Sequence, residues 1–236
     1  MAIADIRRDY TAGQLDRGGL DGDPFAQFQH WFDEASRTKQ AGGRFRRFGI
    51  GIYKSFATLF GGKNLEANAM SLATVGADGK PSVRMVLLKG LDQRGFIFFT
   101  NYLSRKGREL EANPQAALTF YWPELERQVC VAGSVTKLPR AESEAYFHSR
   151  PRGSQVAAAA SSQSQPVANR GVLEKLFQQI EQQNAKVPIP MPPHWGGFVL
   201  SPERIEFWQG RASRLHDRFC YTRNNDGAWF VERLAP

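Results

Sequence analysis

Several stretches of this sequence place cations where an ordinary fold gains little from them. Residues 104–106 (SRK) open a helix with Ser104 as its N-cap, yet two cations in a first turn oppose the helix macrodipole. Helix N-terminal amides and basic side chains together bind phosphate, so an anion at Arg105 and Lys106 would resolve that conflict. Two solvated cations are the plainer alternative. Residues 149–154 (SRPRGS) repeat the pattern, because Pro151 suits the first position of a new helix and keeps Arg150 out of helical geometry. Arg150, Ser154 and the new helix terminus can then converge on a second phosphate. Tyr146, one turn earlier, offers a hydroxyl or a ring face. A charged surface turn is the alternative.

Residues 81–89 (PSVRMVLLK) read as a strand that carries Arg84 and Lys89 among apolar neighbours. Their opposite parity puts them on opposite faces of a straight strand, unless Lys89 lies past its end or a bulge re-aims it. Cations in a half-buried strand need a partner, either a bound anion or a protein carboxylate. The run 205–219 (IEFWQGRASRLHDRF) offers the flat ring of Trp208, followed by Arg214, His216 and Arg218 alternating on one face of a strand. Histidine is suited to moving a proton near neutral pH, and a structural histidine is the alternative.

The elements that must position these groups follow from pattern and punctuation. Residues 1–23 are polar and read as a flexible arm. Asp23 and Pro24 start a helix whose Phe25, Phe28, Trp31, Phe32 and Ala35 recur at helical spacing. Strands are expected at 69–75, 81–89, 95–100, 116–122, 127–138, 197–208, 214–223 and 229–234, with Asp78-Gly79 as a hairpin turn. Helices are expected at 104–111, 140–148, 151–160 and 169–183. The early strands are joined by turns too short for crossover helices, which disfavours a parallel sheet. The fold class is therefore mainly β with helices (α+β): an antiparallel barrel decorated by helices, in one domain from 24 to 236.

Composition narrows the function classes. With 42% hydrophobic and 23% charged residues the chain reads as an ordinary globular protein. Cys130 and Cys220 lie in apolar runs without ligand spacing, so neither a disulfide framework nor a metal site is indicated, and both read as buried thiols of a reducing compartment. The first residues lack an apolar signal core and no apolar run approaches a bilayer span, so the expected location is cytoplasmic. The net charge of +8 admits nucleic acid, a membrane surface or small anions. Five of those charges, Arg44, Arg46, Arg47, Lys54 and Lys63, fall in residues 41–64, which contain no acid, and the remainder carries +3. This basic, aromatic stretch reads as a disordered loop, an extra helix on the barrel, or an amphipathic surface helix touching membrane or a partner. The first two are favoured, because apolar residues need not imply a partner, and no nucleic acid is expected.

The sequence resembles the pyridoxine (pyridoxamine) 5′-phosphate oxidase family. The matching stretches are RRDY (7–10), RMVLLK (84–89), FFTN (98–101), SRK (104–106), LERQV (125–129), YFHSRPRGSQ (146–155), RG with LE (170–174), HWGGF (194–198), IEFWQG with RLHDRF (205–219) and RLAP (233–236). They cover nearly the whole chain except 41–64, which stands as an atypical insertion, and RLHDRF with HSRPR is specific in combination. The resemblance implies an FMN-binding split β-barrel and a homodimer with the site at the subunit interface. It implies that FMN is held by Arg84, Met85, Val86, Leu87, Leu88, Lys89, Phe99, Thr100, Arg105, Lys106, Gln128, Gln163, Ser164, Trp208 and Arg218. Position 99 is Phe where Tyr is also common, and its backbone would serve equally well. The phosphorylated pyridine would be held by Lys89, Tyr146, Arg150, Ser154, Arg214, Leu215 and His216, with Arg7, Arg8, Asp9 and Tyr10 closing over it.

The activity so implied takes a hydride from C4′ of pyridoxine or pyridoxamine 5′-phosphate to flavin N5, with O2 reoxidising the flavin to give H2O2. Arg214 and His216 would be the catalytic pair. A split-barrel protein that holds FMN or pyridoxal phosphate without turnover is the alternative, and the RLH triplet argues against it. The resemblance and the residues agree that each helix terminus with misplaced cations corresponds to a phosphate: Arg105 and Lys106 to that of FMN, Arg150 and Ser154 to that of the substrate.

Overall fold

The computed structural model describes residues 3–5, 9–45 and 66–236. Arg7, Arg8 and residues 46–65, which hold most of the basic stretch, lie outside them. Helix α1 (Pro24–Phe45) is followed by strands β1 (Ala69–Val75), β2 (Pro81–Leu87), β3 (Gly90–Asp92) and β4 (Gly95–Asn101). Next come α2 (Arg105–Ala112), β5 (Gln115–Trp122), β6 (Arg127–Lys137), α3 (Arg140–Ser149), α4 (Arg152–Ala160) and α5 (Arg170–Gln183). The chain closes with β7 (Trp195–Gln209), β8 (Asp217–Arg223) and β9 (Trp229–Leu234). The strands are hydrogen-bonded in the order β2-β1-β5-β6-β7-β4-β3, with β8 on β7 and β9 on β8.

The chain divides into two compact units. The first comprises Met1–Ser71, Leu118–Val131 and Glu203–Pro236, and the second comprises Leu72–Ala117 and Ala132–Pro202. In the first unit the aromatic stripe of α1 does what its spacing predicts: Phe28, Trp31 and Ala35 are buried. Phe28 meets Phe120 with ring centroids 4.9 Å apart, and Trp31 meets Phe207 edge-on at 5.2 Å. Asp23 caps the helix by accepting from the Phe25 N–H at 3.0 Å. From Ala12 onward the expected flexible arm is bonded into this unit. The Ala12 N–H donates to Glu126, the Leu15 N–H donates to Asp217, and the Asp21 carbonyl accepts from the Tyr221 hydroxyl. The last part of β7 pairs antiparallel with β8, placing Trp208 opposite Arg218, and β9 completes the meander.

In the second unit β4 is buried along nearly its whole length, and it pairs antiparallel with β3 and with the first part of β7. Its entry residue Gly95 has φ +139°, and a Cβ there would lie 1.8 Å from the Leu200 carbonyl oxygen, so only glycine fits. The helices pack their apolar faces into a cluster of Phe147, Val156, Ile189, Met191 and Trp195, against which Phe99, Tyr146 and Phe177 rest.

Three further expectations change. Strand β8 begins only at Asp217, so Arg214 and His216 are not strand residues and only Arg218 of the three is. The physical reason is a 3-10 turn at Ala212–Arg214 in which Ser213 and Arg214 both adopt left-handed backbone, φ 56° and 62°. Pro151 is the cap of α4 and not its first helical residue. Cys220 is buried but Cys130 only partly so, and both are free thiols. Among the described residues no helix is long and apolar enough to cross a membrane, and no acidic, histidine and cysteine group is arranged to hold a metal.

Candidate active site

The second unit encloses a cavity of about 830 Å³, within the range of about 300–1,000 Å³ usual for small-molecule and cofactor sites. Five cations, Arg84, Lys89, Arg105, Lys106 and Arg150, line it with no carboxylate among the lining residues. Such a wall is built for anions. The structure also brings Met85, Val86, Leu87, Phe99, Thr100, Tyr146, Ser154, Gln163 and Ser164 to this cavity. Leu88 is buried away from it.

Lys106 shows how the local sequence sets the chemistry. Ser104 caps α2, accepting from the Gly107 N–H at 3.3 Å, and Gly107 is required because a Cβ would meet the Tyr102 carbonyl at 2.1 Å. That turn buries Lys106, whose Nζ donates to Gln163 Oε1 at 2.9 Å, Thr100 Oγ1 at 3.1 Å and Ser104 Oγ at 3.3 Å. All three acceptors are neutral. Burial, and then the like charge of Arg84, push the Lys106 ammonium down to about 8.

Arg84 takes the second of the two partners its strand position demands. Its guanidinium donates to the Leu72 carbonyl, the hydroxyls of Thr74 and Ser82, and Glu109 Oε2 at 3.1 Å. The carboxylate was hidden in the sequence on another element; its only trace is the i, i+4 spacing from Arg105, which donates to Glu109 Oε1 at 2.8 Å. Lys89 lies past the end of β2, its backbone N–H held by the Ile97 carbonyl.

Arg150 sits at the C-cap of α3 with extended backbone, as Pro151 dictates. Its guanidinium lies 4.9 Å above the Trp195 ring, and its buried Nη1 has no hydrogen-bond partner. An unpartnered buried donor is costly unless a ligand takes it. Burial pushes the Arg150 guanidinium down, which is the same strain expressed as proton affinity. Tyr146 stacks on Phe99 at 3.9 Å, and Phe99 on Trp195 at 5.4 Å, forming an aromatic wall. Sequence reasoning missed Trp195, Ser82, Asn101 and Ser161 as lining residues. The pair Gly196-Gly197 after Trp195 was the available signal, since a Cβ at Gly196 would meet the Tyr102 hydroxyl at 2.1 Å and one at Gly197 would meet Phe99 at 2.8 Å.

The first unit holds a cluster of the expected site residues. The Trp208 and His216 rings lie 4.7 Å apart, and Tyr10 packs edge-on to both, at 5.6 and 5.7 Å. Gly210 makes room, because a Cβ there would lie 2.7 Å from the Tyr10 ring. The Arg211 backbone N–H donates to His216 Nδ1 at 3.1 Å. A backbone N–H can only donate, so the neutral imidazole bonded this way carries its proton on Nε2. Arg214, Leu215 and Asp9 are exposed. Arg218 is held by Glu206 at 2.8 Å and by the Ala235 carbonyl, and Gln128 donates to the Cys130 sulfur at 3.3 Å. Asp217 ties this loop down: it pairs with Arg211 and Arg233 and accepts from the Leu15 N–H.

Comparison with known proteins gives one consistent picture. Residues 63–184 match the family described as pyridoxamine 5′-phosphate oxidase, and residues 195–236 match the pyridoxine 5′-phosphate oxidase C-terminal dimerisation region. The pyridoxine/pyridoxamine 5′-phosphate oxidase 1 of Ralstonia nicotianae is 52% identical over 235 residues, covering 100% of this chain and 99% of its own. The pyridoxine/pyridoxamine 5′-phosphate oxidase of Acaryochloris marina is 50% identical over 235 residues, covering 100% and 96%. Among solved structures, PhzG from Burkholderia lata in complex with tetrahydrophenazine-1-carboxylic acid superposes with a TM-score of 0.70 at 31% identity, covering 78% of this chain and 90% of its own. A pyridoxamine 5′-phosphate oxidase-related, FMN-binding protein from Nostoc punctiforme shares the fold with a TM-score of 0.62 at 19% identity, covering 80% and 100%. The chain has the antiparallel split-barrel fold of these neighbours.

Proposed function

Because the chain belongs to the pyridoxamine 5′-phosphate oxidase family, we propose that it is an FMN-dependent oxidase converting pyridoxine and pyridoxamine 5′-phosphates to pyridoxal 5′-phosphate. The observation that carries this reading is the cavity of the second unit, with five cations, no lining carboxylate and one buried guanidinium nitrogen lacking a partner. Two phosphates account for that wall better than a polymer would, since the cations converge inside a cavity. FMN fits the first phosphate site, at Arg105, Lys106 and the N-terminus of α2, with Arg84, Thr100 and Gln163 alongside. The substrate phosphate fits the second, where Arg150 Nη1 awaits an acceptor beside Ser154 and Tyr146. When bound, FMN would supply the two-electron oxidation of substrate C4′, with O2 as the final acceptor giving H2O2.

The protein's own residues bind and orient. Arg214 pins the substrate and offsets developing charge. With Nδ1 occupied by the Arg211 N–H, His216 presents an Nε2–H donor, which orients a substrate oxygen or nitrogen and does not abstract its proton. Gln128, Trp208 and Arg218 are proposed as further flavin contacts, and Arg7, Arg8, Asp9 and Tyr10 as further substrate contacts. The matched dimerisation region supports a homodimer; an active site at its subunit interface is part of the proposal.

A pH dependence follows from Lys106. Below about pH 8 it is an ammonium and holds the flavin phosphate; as pH rises through about 8 the charge is lost. FMN affinity is therefore expected to be highest near neutral pH, where the flavin phosphate is a dianion and Lys106 is charged, and to fall above about 8, measured by flavin fluorescence titration. The sign for the ligand-free protein is opposite. A buried lysine whose folded pKa lies below its unfolded value destabilises at lower pH, and that penalty relaxes as pH rises from about 8. Turnover of pyridoxine 5′-phosphate by flavin-loaded protein, followed by oxygen uptake, tests the function itself; no uptake overturns it.

A further inference from the structure

Glu109 is not on the cavity wall, is not among the residues expected from the sequence, and yet collects side-chain donors from four different residues. It is 8% exposed. Its Oε2 accepts from Thr74 at 2.5 Å, Ser82 at 2.6 Å and Arg84 at 3.1 Å, while its Oε1 accepts from Arg105 at 2.8 Å. The donors come from β1, β2 and α2, so one side chain ties together three elements, of which β2 and α2 line the cavity. Both arginines it holds line that cavity. Thr74 braces the arrangement from behind, donating to Glu109 while accepting from Arg84, and it does not itself line the cavity.

Resting on the flavin site proposed above, we infer that Glu109 is a positioning residue for the cofactor phosphate. It fixes the guanidinium groups of Arg84 and Arg105 on the cavity wall and balances one of their charges. Arg84, Arg105 and Lys106 less this one carboxylate leave two positive charges, which is the complement of a phosphate dianion. The carboxylate is ionised throughout the neutral range: burial alone would raise it, but the bonds from Ser82, Thr74, Arg105 and Arg84 outweigh burial and bring it to about 2. Its charge also supports the neighbouring ammonium, opposing the burial and the Arg84 repulsion that discharge Lys106. Removing the carboxylate thus does not make the site more cationic. It releases two arginines and weakens the third cation.

A simple electrostatic view says the reverse, that deleting a negative charge near a phosphate tightens binding, so the sign decides. Full-length protein stripped of flavin is titrated with FMN and with riboflavin, which lacks the phosphate, by quenching of flavin fluorescence. Glu109→Gln is expected to weaken FMN about tenfold or more while riboflavin affinity stays within about twofold. The pH above which FMN affinity falls is expected to move downward in the same variant. Thr74→Val, which keeps the side-chain shape and removes only the hydroxyl bridge, is expected to weaken FMN severalfold with riboflavin again unaffected, and it serves if Glu109→Gln does not fold. FMN binding as tight as or tighter than wild type in these variants overturns the inference, as does an equal loss for riboflavin, which would assign Glu109 to holding the cavity's shape. Failure of the wild-type protein to prefer FMN over riboflavin removes the flavin site itself, a distinct result.

Discussion

Replacing Arg150 by alanine is expected to raise KM for pyridoxine 5′-phosphate about a hundredfold with little change in kcat, because charge-assisted contacts to a phosphate contribute about 1.5–3 kcal/mol each and act in ground and transition states alike. The same substitution is expected to leave the thermal stability of the substrate-free protein nearly unchanged. Arg150 places a donor, Nη1, in a buried position without a partner, so truncation removes a penalty together with the favourable contact to the Trp195 ring. That combination separates a ligand-binding arginine from a structural one. Steady-state kinetics and a thermal melt of the same preparation check it, and an unchanged KM, or a large fall in melting temperature, would remove Arg150 from the substrate phosphate site.

Arg214→Leu is expected to lower kcat/KM by about a thousandfold while FMN remains bound, which is the scale for losing one preorganised charge contact at the reacting centre. The structure gives this residue an unusual setting. It is exposed, and with Ser213 it forms a pair of consecutive left-handed residues that are not glycine. Such backbone is held against its own preference, as functional loops often are. The loop is held at Asp217, which pairs with Arg211 and Arg233, and at His216, which accepts from the Arg211 N–H. Turnover at saturating substrate together with the flavin content of the purified variant checks the assignment. A variant that kept the full rate with flavin bound would end it.

How much of this was legible in the sequence depends on whether the signal was local. Helix α1 and its buried Phe28, Trp31 and Ala35 were readable because a 3.6-residue period needs only its own neighbours. The cap at Ser104 and the break at Pro151 were readable for the same reason, and with them the two clusters of cations, although Pro151 proved to be the cap itself. The turn at Ala212–Arg214 was not, because left-handed backbone at Ser and Arg leaves no mark in residue type, and an alternating pattern through Arg214, His216 and Arg218 mimics a strand. Glu109 was missed because its donors Thr74, Ser82 and Arg84 are 25 or more positions away and only the fold collects them. Trp195 was missed as a cavity wall because its ring partners there, Phe99 and Tyr146, are distant in sequence and only the fold brings them to it. Where partners are distant in sequence, the chemistry of a site shows in the residue types, but the contacts that tune it do not.

The central claim, that the cationic cavity holds FMN and a phosphorylated pyridine close enough to react, has one direct measurement. Purified protein loaded with FMN is mixed with pyridoxine 5′-phosphate without oxygen, and the flavin absorption is followed before and after air is admitted. The account predicts that the oxidised flavin band bleaches on adding substrate, that it returns with oxygen, and that pyridoxal 5′-phosphate and H2O2 appear in equal amounts. A flavin band that stays unchanged with saturating substrate would contradict it.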